Sequence, residues 1–198
     1  MILAAVVAAL LAASPPVQFV KEPKTGVVFP ARVEGMSLFG VGVRTKTFLR
    51  VKIYAIGFYV ADSAISGPLT VHRGTVGTAQ FYRDLVTGDF EKQLVLKLVR
   101  DLSAEQIQGA FRTQMRSANR ELLDRFLSYF VGTKAGQECV LRWAPGGVLE
   151  TRVAGVVKTP IPNRAFSQDV FAVWLGDDKA VDAPFRGRLV SRAPGLLE

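Results

Sequence analysis

The chain has 198 residues, 49% hydrophobic and 21% charged, with a formal net charge of +8. That length and composition fit one globular domain with a substantial core. A single Cys and a single His exclude an intrachain disulfide and a cysteine zinc site, and argue against a multi-histidine metal centre or a Ser-His-Asp hydrolase.

The 25 Lys and Arg residues are spread along the chain, with no basic block and no nucleic-acid motif. They read as a basic surface with some capacity to steer anions. Residues 1–13 carry no charge. The run is shorter than the ~20 apolar residues of a membrane-spanning helix. It reads as the centre of a secretory signal, with small residues at Ala12–Ser14 for cleavage, although the basic start of such signals is missing. The expectation is an exported chain, periplasmic or extracellular, with a signal segment over 1–18 and one domain over 19–198. No later apolar run is long enough for an integral membrane protein.

Residues 14–26 read as extended, and 27–34 as a short edge strand with Pro30 near its end. Residues 36–61 carry the clearest pattern. Runs rich in Val, Ile, Phe and Tyr predict two strands, roughly 38–46 and 51–60, joined by a short turn. With the turn centred on Leu49, Arg44 faces Tyr54, Gly42 faces Ile56 and Gly40 faces Phe58. Alternation then puts Val41, Val43, Val51, Ile53 and Ala55 on one face, read as packed core. The other face carries Arg44, Tyr54, Ile56 and Phe58, with two glycines clearing space. A guanidinium beside a phenol among apolar groups suits a pocket for an anionic, mostly apolar ligand.

Loops are expected at 66–70 and 73–78, and one helical turn at 81–86, broken by Thr87-Gly88. The lone His72 reads as a loop or strand-end residue; its other use would be as an axial haem ligand. Arg83, Asp84, Glu91 and Lys92 read as ion pairs that fix a turn. Residues 93–100 alternate as a strand. Ser103 and Gln106 form a capping box, and Ile107, Phe111, Met115, Ala118, Leu122, Phe126 and Phe130 predict one long helix over 104–131. Gln114 lies near that apolar face, as a core amide, a rim residue or a pocket contact. Residues 138–143 and 148–156 form a hairpin around Ala144-Pro-Gly-Gly147, and Cys139 is expected buried there. Asn163 caps a helix over 164–175, stopped by Gly176, and a short basic helix follows at 181–192. This order of elements is α+β, with helices packed on one side of an antiparallel sheet.

The runs Gly40-Val-Gly-Val-Arg44 and Lys52-Ile-Tyr54-Ala-Ile-Gly57-Phe-Tyr59 resemble the chalcone isomerase family. So does Phe81-Tyr-Arg83-Asp84-Leu-Val-Thr-Gly88-Asp-Phe90-Glu91-Lys92, followed by Leu102-Ser-Ala-Glu-Gln106, and so does Trp174-Leu-Gly176-Asp177. The resemblance covers roughly residues 27–190. It implies an open-faced β-sandwich, with a ligand cleft between the sheet and a helical layer, and no cofactor. It also implies two functions. In the isomerases, which cyclise chalcones to flavanones, an arginine on the first hairpin strand stabilises developing negative charge, and Arg44 matches it. Their threonine on the next strand is replaced by Tyr54. On the long helix their tyrosine falls at about Ile107 and their asparagine at about Gln114. In the fatty-acid-binding branch an arginine and a tyrosine on the following strand hold the carboxylate, and Arg44 with Tyr54 resembles that pair. The expected partner is a small anionic amphiphile, a fatty acid or a phenolic, and neither nucleic acid nor a membrane span. Without the resemblance, Arg44 reads as a sheet residue paired with a helix carboxylate.

Overall fold

The described chain opens with three short strands: β1 (Phe19–Lys21), β2 (Val28–Pro30) and β3 (Arg32–Val33). The structure, a computed structural model, describes residues 16–46, 51–115, 118–176 and 182–198. The run 1–13, read as a secretory signal, and the turn at Leu49 lie outside the described residues. β1 and β2 pair as a separate ribbon. The expected strand at 27–34 is therefore two pieces, parted by Ala31, whose N–H donates back to Gln18 O at 2.7 Å.

β4 (Met36–Lys46) and β5 (Val51–Ala61) form the predicted hairpin, 11 residues each. Gly40 pairs with Phe58, Gly42 with Ile56 and Arg44 with Tyr54, the expected register. Bulges at Leu38/Gly40 and Arg44/Thr45 shift the pairing by one residue on either side. The chain continues through α1 (Asp62–Ile65), a 3-10 turn (Pro68–His72), α2 (Ala79–Thr87), β6 (Lys92–Leu98), α3 (Ala104–Gln114) and α4 (Arg120–Leu127). It ends with β7 (Glu138–Ala144), β8 (Val148–Val153), β9 (Val156–Val157), β10 (Ile161–Pro162), α5 (Arg164–Leu175), α6 (Ala183–Leu189) and α7 (Pro194–Leu197). The sheet runs β3-β4-β5-β6-β7-β8-β10, with β9 also on β8. All its pairings are antiparallel. The fold is α+β, an antiparallel sheet under a helical layer. Among the described residues no helix is long and apolar enough to cross a membrane.

The larger core lies on the face that carries Ile56 and Phe58, where α2 to α6 bring Phe81, Phe111, Phe126, Phe166, Trp174 and Phe185. The opposite face, which carries Val43 and Ala55, holds a smaller cluster under the β1–β2 ribbon, with Phe29, Leu38, Tyr59 and Val95. The sequence reading gave the packed core to this second face. The helices supply most of the aromatic volume, so the larger core forms where they pack. Cys139 in β7 is buried on the helical side, and burial pushes its thiol up to about 12.

The expected single helix over 104–131 is two. In one continuous helix Phe111 and Phe126 would be ~22 Å apart at 1.5 Å per residue. Their ring centres are 5.1 Å apart, so the chain turns back on itself. Asn119 caps the second piece, its Oδ1 accepting from Leu122 N at 3.1 Å. Across the turn Arg112 meets Asp124 at 2.7 Å. The expected single turn at 81–86 is the nine-residue α2, capped by Thr78.

The Arg83–Lys92 region does fix a junction, though not by ion pairs among its own four residues. Asp84 takes His72 Nε2 at 2.9 Å, so the lone histidine is a buried core residue rather than a loop residue. Glu91 pairs with Arg142 at 2.6 Å, and Arg83 donates to Gln80 at 3.1 Å. Lys92, fully buried, donates to Gly88 O at 2.7 Å and Val86 O at 3.4 Å, where the α2 carbonyls lack helical partners. Its nitrogen lies 3.9 Å from the Trp143 ring centre and 4.6 Å from that of Phe90.

Helix α6 crosses β4 at Gly40. A Cβ there would collide with the Arg188 carbonyl oxygen and lie 2.7 Å from the Leu189 carbonyl carbon, both backbone atoms. Gly40→Ala is therefore expected to destabilise by ~1–3 kcal/mol. Gly109→Ala, whose Cβ meets open space on α3, should be neutral or stabilising. Urea denaturation of the two variants checks this.

Burial lowers the Lys92 ammonium to about 7, against the pull of the Asp89 carboxylate. Between about 7 and the ordinary 10.5 the unfolded chain holds a proton that the folded chain has released. Stability from this group therefore rises with pH across that window and is lost as pH falls to about 7. A neutral amine keeps two N–H donors, so the contacts to Val86 and Gly88 survive deprotonation. Urea midpoints should climb with pH across the window, and the climb should flatten in Lys92→Met.

Candidate functional site

Arg44 is the last residue of the regular β4–β5 pairing before the second bulge. It is half-buried, with its guanidinium carbon 5.9 Å from the Phe185 ring centre on α6. Phe185 reaches this point because Gly42 has no side chain: a Cβ there would lie 3.1 Å from Phe185 and 3.3 Å from Leu189. The space cleared by the two glycines is thus filled by α6, and the site lies beside that helix, at Arg44. Among the described residues Arg44 forms no ion pair, unlike Arg32, Arg112, Arg142 and Arg152. The reading that paired it with a helix carboxylate finds no partner there.

Tyr54, directly across from Arg44, accepts a hydrogen bond from Trp174 Nε1 at 2.9 Å. The indole is a donor only, so the phenol keeps its own O–H to donate. Burial raises the Tyr54 pKa, while the Trp174 hydrogen bond and the Arg44 charge pull it down. The net rise keeps the phenol protonated at neutral pH. Trp174 packs edge-on to Phe111 at 6.0 Å, which links the pair to α3.

Arg44 and Tyr54 are therefore brought together as the register predicted. Ile107 is half-buried one helical turn before Phe111, packed on the larger core. Gln114 is half-buried at the last residue of α3, and no hydrogen bond joins it to Arg44 or Tyr54 among the described residues. Two residues that shape the site were missed as site residues. Trp174 was read only as an inward helix residue, although it opens the Trp174-Leu-Gly176 run. Phe185 carries no signal beyond its place after Pro184. Among the described residues no group of three or more His, Cys, Asp or Glu could hold a metal ion.

The model of the chalcone isomerase-like family matches residues 25–190. Chalcone isomerase-like protein 1 of Humulus lupulus is 27% identical, covering 79% of this chain and 82% of the relative. Chalcone–flavanone isomerase of Phaseolus vulgaris is 27% identical over 91% of this chain and 92% of its own. Fatty-acid-binding protein 1 of Arabidopsis thaliana is 27% identical over 80% of this chain and 65% of its own. A solved Arabidopsis thaliana fatty-acid-binding protein superposes with a TM-score of 0.78 at 24% identity, covering 91% of this chain and 99% of that one. With its hairpin register, helical layer and family match in agreement, the chain belongs to the chalcone isomerase-like family.

Proposed function

We propose that the protein binds a fatty acid or a similar anionic amphiphile at the Arg44–Tyr54 pair, without catalysing a reaction. The observation that carries this reading is the state of the two groups. Arg44 has no carboxylate partner among the described residues, and the Tyr54 O–H is left to donate because its oxygen receives Trp174. A half-buried guanidinium without a counter-charge is an unmet electrostatic demand, which a carboxylate meets bidentately. The neighbouring side chains Phe185, Trp174, Phe111 and Ile107 are apolar, and all but the half-buried Ile107 are packed in the larger core, so an alkyl chain would have to part them to enter. Relatives named as fatty-acid-binding proteins support the same reading.

The isomerase reading draws on relatives named chalcone–flavanone isomerase and on the same arginine. Against it, Ile107 supplies no hydroxyl where the enzymes' helix tyrosine falls. One missing donor can cost ~10²–10³ in rate.

Titration of purified variants with a fatty-acid series tests the proposal. Arg44→Ala should weaken binding by ~1.5–3 kcal/mol, roughly tenfold to more than a hundredfold. Arg44→Lys should recover part of the loss, because it restores charge but not the fork. Tyr54→Phe should cost ~0.5–1.5 kcal/mol. Unchanged affinity in folded Arg44→Ala, or no binding by the parent, would sink the carboxylate role. Flavanone formation above the spontaneous rate that vanishes in Arg44→Ala would favour the isomerase instead.

A further inference from the structure

The outer face of the sheet, away from the helices, is only partly covered. Phe29 of the β1–β2 ribbon stands on Gly57, where a Cβ would come within 2.8 Å of its ring. The ribbon thus shelters the β4–β5 side. Over β6, β7 and β8 a cavity of about 330 Å³ remains, bounded by Phe29 and Pro30 on one side and Val157 on the other. That is room for about ten waters, at the lower end of small-molecule pockets.

Two rows of side chains form its floor. Tyr59, Gln93, Arg142 and Glu150 lie side by side across β5 to β8. Gly57, Val95, Val140 and Arg152 form the next row. The cavity is lined by three cations, Lys97, Arg142 and Arg152, and three carboxylates, Glu34, Glu138 and Glu150, and both arginines are paired. Arg142 meets Glu34 at 3.1 Å and Glu150 at 3.9 Å, and Arg152 meets Glu138 at 3.4 Å. Lys97 donates to Val28 O at 3.0 Å. An ion entering here would have to break an arginine pair or draw Lys97 from the Val28 carbonyl, or else stay unpaired, and each course costs free energy. Two lining residues carry polar groups without a partner among the described residues: the Thr151 hydroxyl, which is buried, and the Gln93 amide. Gln93 is 8% exposed and lines the cavity, and none of the side-chain hydrogen bonds among the described residues engages its amide. It can both donate and accept.

We propose that this cavity is a second binding site, distinct from the Arg44 face. Its ligand is an uncharged, planar molecule of two or three fused rings that carries a hydroxyl or an amide. The rings lie on Val95 and Val140 between Pro30 and Val157, and the polar group pairs with Gln93. The two faces of one sheet thereby take ligands of opposite character, an anion at Arg44 and a neutral ring system here.

The test uses 2-naphthol as a neutral probe and 2-naphthoate as its anionic counterpart, followed by methyl NMR on the full chain with labelled valines. With 2-naphthol, saturable shifts should appear at Val95, Val140 and Val157, and 2-naphthoate should bind at least tenfold more weakly. Gln93→Leu should weaken 2-naphthol about three- to tenfold, the worth of one neutral hydrogen bond. Val157→Ser changes a side chain 75% exposed, so it keeps the fold whatever happens in Gln93→Leu. It should weaken the probe about threefold through lost apolar contact. Shifts centred on Val170 and Val173 of the helical side, shifts that do not saturate, equal affinity for the two probes, or full affinity in both folded variants would overturn the proposal.

Discussion

The carbonyl of Arg188 rests where a Cβ of residue 40 would be, and this backbone contact sets how closely the helical layer approaches the sheet. The rest of the site follows from it. With α6 seated on Gly40, Phe185 drops onto Gly42 and its ring comes beside Arg44. Across the hairpin, Tyr54 is tied to Trp174 of α5, and Trp174 packs against Phe111 of α3. The guanidinium is held by packing on one side and by strand register on the other. Close-packed interiors transmit displacements, so a shift of α6 would be felt at Arg44 through the Phe185 ring.

The two faces of the sheet differ in how their charges are met. On the outer face Arg142 and Arg152 sit in networks with Glu34, Glu91, Glu138 and Glu150. On the helical face Arg44 stands among apolar groups and beside a phenol. Nearby charges interact more strongly where water is excluded. An unmatched guanidinium there carries a larger unmet electrostatic demand than the matched charges outside. The basic net charge of the chain is a weaker guide, because screening removes most of its effect beyond a Debye length.

The sheet was legible because its signal is local. Alternation along 36–61, with glycines at fixed places, specified both the pairing and the face that Arg44 shares with Tyr54. The break in the predicted helix was not legible from periodicity. The three- and four-residue spacing continues from Ile107 to Phe130 although the chain reverses, and the one cue was Asn119, a capping residue within the apolar run. The glycines misled in a different way. A pair of glycines facing a core marks a close approach without saying what approaches, and here it is a helix. Lys92 reads as an ion-pair residue in the sequence because its partners, two backbone carbonyls and the rings of Phe90, Trp143 and Phe171, carry no charge to mark them. The missing carboxylate at Arg44 is a tertiary fact of the same kind.

Cys139 is buried in β7 between Leu96 and Val153, with its thiol pushed up to about 12. Only the thiolate reacts with thiol reagents, so the native molecule should be silent to them. Any labelling then reports a molecule whose central strands have parted, and as the chain has one cysteine, one label records one opening. When closing is fast relative to modification, the labelling rate measures the opening equilibrium of the sheet itself. The protein thus contains its own gauge of whether any molecule bound to the sheet stiffens its strands.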